Sequence, residues 1–190
     1  GAEVVDLYAC FPSAVQVQAR ALGLPLDAAR LTVTGGMTFA GGPLNNAALA
    51  STVAVVERLR HLATAGGSAR GLVTAISGML TKPGAMMLSS STSPTRFAAL
   101  DVTDEATDRS PALPVDPDLA GEAVIVGATV ITTFEGIRRA VAVVGSTASG
   151  GVRRRSVVTS DRDVVASSIA ELGGAGRVVT LDGMGGFNLS

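Results

Sequence analysis

The residues best able to do chemistry lie in one glycine-rich stretch, Thr34 to Asn46 (TGGMTFAGGPLNN). Its paired glycines, Gly35-Gly36 and Gly41-Gly42, stand directly before a run with helical spacing. Glycine has no Cβ, so such a turn lets backbone amides approach a ligand at the start of a helix. Plain packing turns use the same residues, and the spacing alone does not choose between these uses. The stretch matches neither the dinucleotide fingerprint nor the phosphate loop, which requires a Gly-Lys-Ser/Thr ending. Cys10 is the one cysteine and His61 the one histidine, so no disulfide framework and no His/Cys metal site is expected.

Other reactive side chains have ordinary readings. His61 follows Arg58 and Arg60 and reads as a solvated helix end. Cys10, between Ala9 and Phe11, reads as a buried small hydrophobe. Arg153-Arg154-Arg155 reads as a solvated or subunit-facing strand, with a phosphate or nucleic-acid contact as the alternative. Met79, Met86 and Met87 read as gap-filling core or interface residues.

The elements that must position these groups follow from periodicity and turn signals. Glu3 to Leu7 is a strand, Pro12 opens a helix through about Leu22, and Gly23 ends it in a left-handed conformation. Leu31 to Val33 is a strand entering the glycine turn. A helix runs from Asn45 to about Leu62, with Leu49, Val53, Val56 and Leu59 as its apolar stripe. Gly71 to Ile76 and Gly84 to Leu88 are strands. Farther on, Glu122 to Thr133, Ile137 to Gly145 and Val152 to Thr159 are β-branched runs that form an antiparallel meander. Asp161 caps a helix from Arg162 to Leu172, and Arg177 to Leu181 is a final strand.

Composition bounds the class. In 190 residues, 47% are hydrophobic, 16% charged and 3% aromatic, so disorder is excluded and small residues must fill the interior. No apolar run is long enough to span a bilayer, and no signal core follows a basic N-terminus, which makes a soluble cytoplasmic protein the default. The net charge of −1 gives no general attraction to nucleic acid. Residues 1–100 carry seven basic and four acidic groups, and residues 101–190 carry eight and twelve. The Asp/Pro-rich segment 101–118 between them reads as a linker, giving domains 1–100 and 119–190.

Read together, DLYACFPSAVQVQARALGL, LTVTGGMTFAGGPLNNAALASTVAVVERLR and GLVTAISGMLTKPGA resemble the C-terminal part of the thiolase superfamily. The branch most similar is the acetyl-CoA acetyltransferase-like one called thiolase-like protein type 1, and the resemblance covers residues 3 to 90 well. The β-rich remainder is similar to that branch's additional C-terminal domain. The implied fold class is α/β: part of a layered thiolase-like domain, then a small, partly open, OB-like barrel with one helix.

The resemblance implies a coenzyme A thioester as ligand, with no covalently bound cofactor. It places Tyr8 where thiolases hold a water with asparagine, and Gly42, within Gly41-Gly42-Pro43, where a Gly-His-Pro histidine activates the nucleophile. The acid/base cysteine would fall near Thr74 to Ile76, at Ala75, and no thiol is present there. The nucleophile would lie in an upstream half. No catalytic residue is therefore expected in this chain. Thr34, Gly35, Gly36, Gly41, Gly42, Pro43, Asn45, Ser77 and Gly78 are expected to line the thioester region, their amides available to its carbonyl oxygen. Lys82 reads as a solvated cation, with a coenzyme A phosphate contact as the alternative.

The helix over 45–62 is apolar around most of its circumference, which calls for cover on both sides. Hence the chain is expected to be a C-terminal piece that meets an N-terminal thiolase half, a partner subunit or another copy of itself. Competing readings are a protein-interaction module, with single-stranded nucleic-acid binding as its weaker form, and a subunit of a split acyltransferase or aldolase.

Overall fold

The computed structural model describes residues 1–27, 31–64, 66–92, 96–132, 134, 138–146, 152–159, 161, 163 and 175–189. They fall into two units, Gly1–Ala98 and Ala99–Ser190.

In the first unit, β1 (Val4–Asp6) lies parallel to β2 (Arg70–Ile76), and β2 pairs antiparallel with β3 (Pro83–Ser89). The β1–β2 register sets Val4, Asp6, Gly71 and Val73 on one face and Val5 and Leu72 on the other. Each face takes a helix. Val5, Leu7 and Leu72 pack with Ala19 of α1 (Pro12–Ala21), while Val4 and Val73 pack with Val55 and Leu59 of the long helix Ala47–Thr64. The result is a small three-layer α/β/α arrangement.

Pro12 stands at the start of α1, as its fixed φ favours. Gly23, at φ 65°, ends it in a Schellman turn: its N–H donates to the Arg20 carbonyl and the Leu24 N–H to that of Ala19. A short helix α2 (Met37–Ala40) and a 3₁₀ turn (Leu44–Asn46) lead into the long helix, here α3.

Four expectations change. Leu31 to Val33 does not form a strand, because the amide of Val33 turns to the Asp6 carboxylate instead of a neighbouring strand. On α3 the inward stripe is Ala47, Val55 and Leu59, whereas Leu49 and Val53 are 63% and 58% exposed. The glycine at position 71 decides this, since it leaves a groove that Val55 and Leu59 fill. Cys10 is exposed, because it sits in the β1–α1 connection beyond the sheet. Met79, Met86 and Met87 are likewise exposed in this unit, so they are not core residues.

The second unit holds a helix α4 (Thr103–Arg109) and five antiparallel strands: β4 (Gly121–Thr132), β5 (Arg138–Ser146), β6 (Arg154–Thr159), β7 (Val178–Leu181) and β8 (Phe187–Leu189). Their order is β6-β5-β4-β7-β8. Strand β7 returns to lie beside β4, which makes β4 to β7 a Greek key. The sheet curls until the Val158 N–H donates to the Gly185 carbonyl, 3.0 Å away, joining β6 to the turn before β8. Alternate residues fill the interior: Ala123 and Ile125, Ala140, Ala142 and Val144, Val157, Val179 and Leu181, with Phe187 1% exposed.

A β-bulge between Ile125 and Gly127 bends β4. The segment expected as a linker contains α4, and its end is fastened to β6. Arg153 pairs with Asp116 at 2.7 Å, and the Arg155 guanidinium donates to the Leu119 carbonyl at 2.6 Å. Strand β8 went unforeseen. The helix expected over 162–172 lies outside the described residues, although the Asp161 carboxylate does accept the Asp163 N–H.

Candidate functional site

Asp6 closes β1 and is 2% exposed, an unusual position for a carboxylate. It is satisfied by donors from far along the chain. The Thr32 hydroxyl donates at 2.6 Å, the Val33 and Thr34 amides at 2.8 and 3.1 Å, and the Thr34 hydroxyl at 3.1 Å. Burial alone would raise this carboxyl, but the Ser51 and Thr32 hydroxyls and the Thr34 and Val33 amides outweigh it and hold the group below the ordinary aspartate range. Thr32 then passes the connection on, since its oxygen accepts the Gly35 N–H at 2.9 Å and the Gly36 N–H at 3.1 Å. Both glycines have positive φ, 82° and 73°, which most side chains would strain.

A second network lies on the opposite face of the sheet. The Thr74 hydroxyl accepts the Tyr8 N–H at 2.9 Å and donates to Gln18 Oε1 at 2.6 Å, and Gln18 Nε2 donates to the Tyr8 carbonyl at 2.9 Å. Strand ends β1 and β2 are thereby locked to α1, fixing the residues after Asp6.

Between these elements lies a hollow of about 20 Å³, bordered by Asp6, Tyr8 and Ala9, by Thr34, Gly36, Met37 and Gly41, and by Ser51 of α3. That volume admits about one water, not an acyl group. Of the residues expected from sequence, Tyr8, Thr34, Gly36 and Gly41 meet here. Gly35 stands one residue behind, under the Phe39 ring. Gly42, Pro43 and Asn45 lie on the exposed approach to α3, and Leu44 between them has φ 50° and is 87% exposed. Ala75 is half-buried in β2, and Ser77 and Gly78 occupy the exposed β2–β3 turn, where the Ser77 N–H donates to the Lys82 carbonyl.

The amides expected to meet a carbonyl oxygen are partly committed. Those of Gly35 and Gly36 bond Thr32, and that of Gly41 bonds the Met37 carbonyl, because the turn satisfies its own donors. Asp6, Thr32 and Ser51 were not singled out from sequence. The available signal was a lone charge within VVDL, an apolar strand where only a paired carboxylate can be buried.

Among the described residues no cluster of His, Cys, Asp and Glu could hold a metal ion, and no helix is long and apolar enough to cross a membrane. His61 lies exposed in the last turn of α3.

These two units, with their sheet, glycine turn and curled barrel-like half, define a thiolase-like fold. The particular likeness is to the crystal structure of a monomeric SCP2-thiolase like protein type 1 from Mycobacterium smegmatis, with a TM-score of 0.74 and 24% identity. All of this chain is covered, and it spans 41% of the length of that one. At this identity the likeness describes the fold. No family model and no curated protein matches the sequence.

Proposed function

We propose that this chain is the C-terminal portion of a cytoplasmic, thiolase-like acyl-CoA-binding protein of lipid or acyl-CoA metabolism, without standard thiolase chemistry of its own. The observation that carries this reading is the meeting of the end of β1, the glycine segment and the start of α3 around one hollow. Aligned with thiolases, the hollow has Tyr8 for asparagine, Gly42 stands for histidine on the exposed approach to α3, and β2 offers no thiol between Thr74 and Ile76. Loss of a positioned acid or base typically costs about 10²- to 10⁴-fold, and without a nucleophile the covalent route is closed. Binding can persist. The Gly42 and Gly78 amides, which have no backbone acceptor among the described residues, remain as donors toward a thioester oxygen.

The outer face of α3 supports a further part of the reading, namely that an N-terminal thiolase half, a partner subunit or self-association covers Leu49 and Val53. In the second unit, the Greek-key order and the contact of β6 with the β8 turn support an OB-like barrel. An interaction module is the alternative. Its nucleic-acid form is weakened because Phe187 is core, leaving Phe134, in the β4–β5 connection, as the exposed aromatic of that unit.

Calorimetry of the complete assembly with acetyl-CoA is expected to give measurable heat, and silence would defeat the binding claim. Gly42→His, reconstituted with a cysteine-bearing partner half, should gain thiolysis if the pocket is otherwise competent. Light scattering at micromolar concentration should show association, or a hydrophobic dye should fluoresce on binding. A monodisperse monomer that binds no hydrophobic dye would overturn the covered-face claim.

A further inference from the structure

The Thr32–Gly36 segment makes its hydrogen bonds without a strand partner. The amides of Val33 and Thr34 end on the Asp6 carboxylate, that of Gly35 on the Thr32 hydroxyl, and that of Gly36 is shared between the Thr32 and Thr34 hydroxyls, both bonded to Asp6. One buried anion therefore accounts, directly or through the Thr32 and Thr34 hydroxyls, for four consecutive backbone donors. Two of those residues have positive φ. The same carboxylate also receives the Ser51 hydroxyl from α3, so the turn and the helix share one anchor.

We propose that Asp6 is the positioning residue of this site: its carboxylate, acting through Thr32, holds the Thr34–Gly36 turn in the shape that borders the hollow. The link from turn shape to ligand binding rests on the acyl-CoA reading above; the link from Asp6 to turn shape does not. Without the carboxylate, three hydroxyls and two amides lose their common acceptor, and a buried donor left unpaired is costly. The turn then has no reason to keep its positive-φ pair.

The test is amide hydrogen exchange on the full chain, comparing wild type with Thr32→Val, Thr32→Ser and Asp6→Asn. Thr32→Val should speed exchange at Gly35 by about tenfold or more and at Gly36, which keeps the Thr34 hydroxyl, by less, while β2 and α3 amides keep their wild-type rates. Thr32→Ser, which restores the hydroxyl, should restore protection. Asp6→Asn should extend the loss to Val33 and Thr34. Wild-type exchange at Gly35 in Thr32→Val, or a uniform rise across β2 and α3, would overturn the proposal. If Asp6→Asn does not fold, the Val and Ser variants decide.

Acetyl-CoA calorimetry on complete assemblies carrying wild type, Thr32→Val or Thr32→Ser separates the two claims. Heat in wild type that weakens in Thr32→Val and returns in Thr32→Ser supports both. Equal affinity in all three overturns the link from turn shape to binding. No heat in any, with the exchange pattern as expected, defeats the acyl-CoA reading and leaves Asp6 as the anchor of the turn.

Discussion

Gly71→Ala tests why α3 sits where it does. Gly71 lies in β2 between Val4 of β1 and Leu88 of β3, so the strand cannot step aside without disturbing two ladders. A Cβ there would overlap Val55 Cγ1 outright and come within 3.1 Å of Leu59 Cδ1. Val55 is 0% exposed and Leu59 3%, so neither has free space to retreat into. Overpacking of this kind costs about 1–3 kcal/mol. Alanine also restricts the unfolded chain, which returns about 0.4–1 kcal/mol, because the strand backbone at this position suits it. A net loss of about 1–2 kcal/mol is expected. Urea unfolding should show a lower midpoint with an unchanged slope. In the double variant Gly71→Ala with Val55→Ala, the missing methyls admit the new one, so a favourable coupling of about 1 kcal/mol or more should appear. A neutral or stabilising Gly71→Ala, or strict additivity with Val55→Ala, would refute the close approach of α3 and β2.

Acid provides another check. The folded-state value of Asp6 is lowered, so its contribution is fully present above the unfolded value near 3.8 and disappears as pH falls through the folded one. The stability gap between wild type and Asp6→Asn should accordingly narrow from pH 6 to pH 3, and a gap independent of pH would contradict this. Leu44→Asn relieves a left-handed backbone at φ 50° while giving up almost no burial, so thermal melting should report a gain of about 1 kcal/mol; a loss would mean that Leu44 is held by something it packs against. Gly145→Ala overlaps only the flexible Arg154 guanidinium and makes an ordinary 3.5 Å contact with Val126 Cγ2, so unfolding free energy should stay within about 0.5 kcal/mol of wild type. A penalty comparable to that of Gly71→Ala would show that Arg154 is locked.

Local signals predicted local structure well. Pro12 and Gly23 bracket α1 because each acts through its own backbone, and the β-branched runs after residue 120 became β4, β5 and β6. Long-range choices were hidden. Leu31 to Val33 alternates like a strand, yet its amides are claimed by a carboxylate 27 residues earlier in the case of Val33. Helix α3 has two apolar faces, and which one meets the sheet depends on a glycine in β2. The missed strand β8 had a signal in Asp182-Gly183, whose carboxylate bonds the Met184 and Gly186 amides and so folds the hairpin turn. For the site, the glycine pairs were visible. The partner that shapes them was not, because hydrogen-bond acceptance across 26 residues by Asp6 leaves no periodic trace.

The meeting of β6 with the β7–β8 turn gives the second unit an unequal circumference. Neighbouring strands elsewhere share ladders of several residue pairs, whereas here the Val158 to Gly185 bond acts as a clasp. A sleeve fastened in that way widens by unhooking before any of its staves separate. Warming should therefore expose the Val158 amide to solvent ahead of those in β4 and β5.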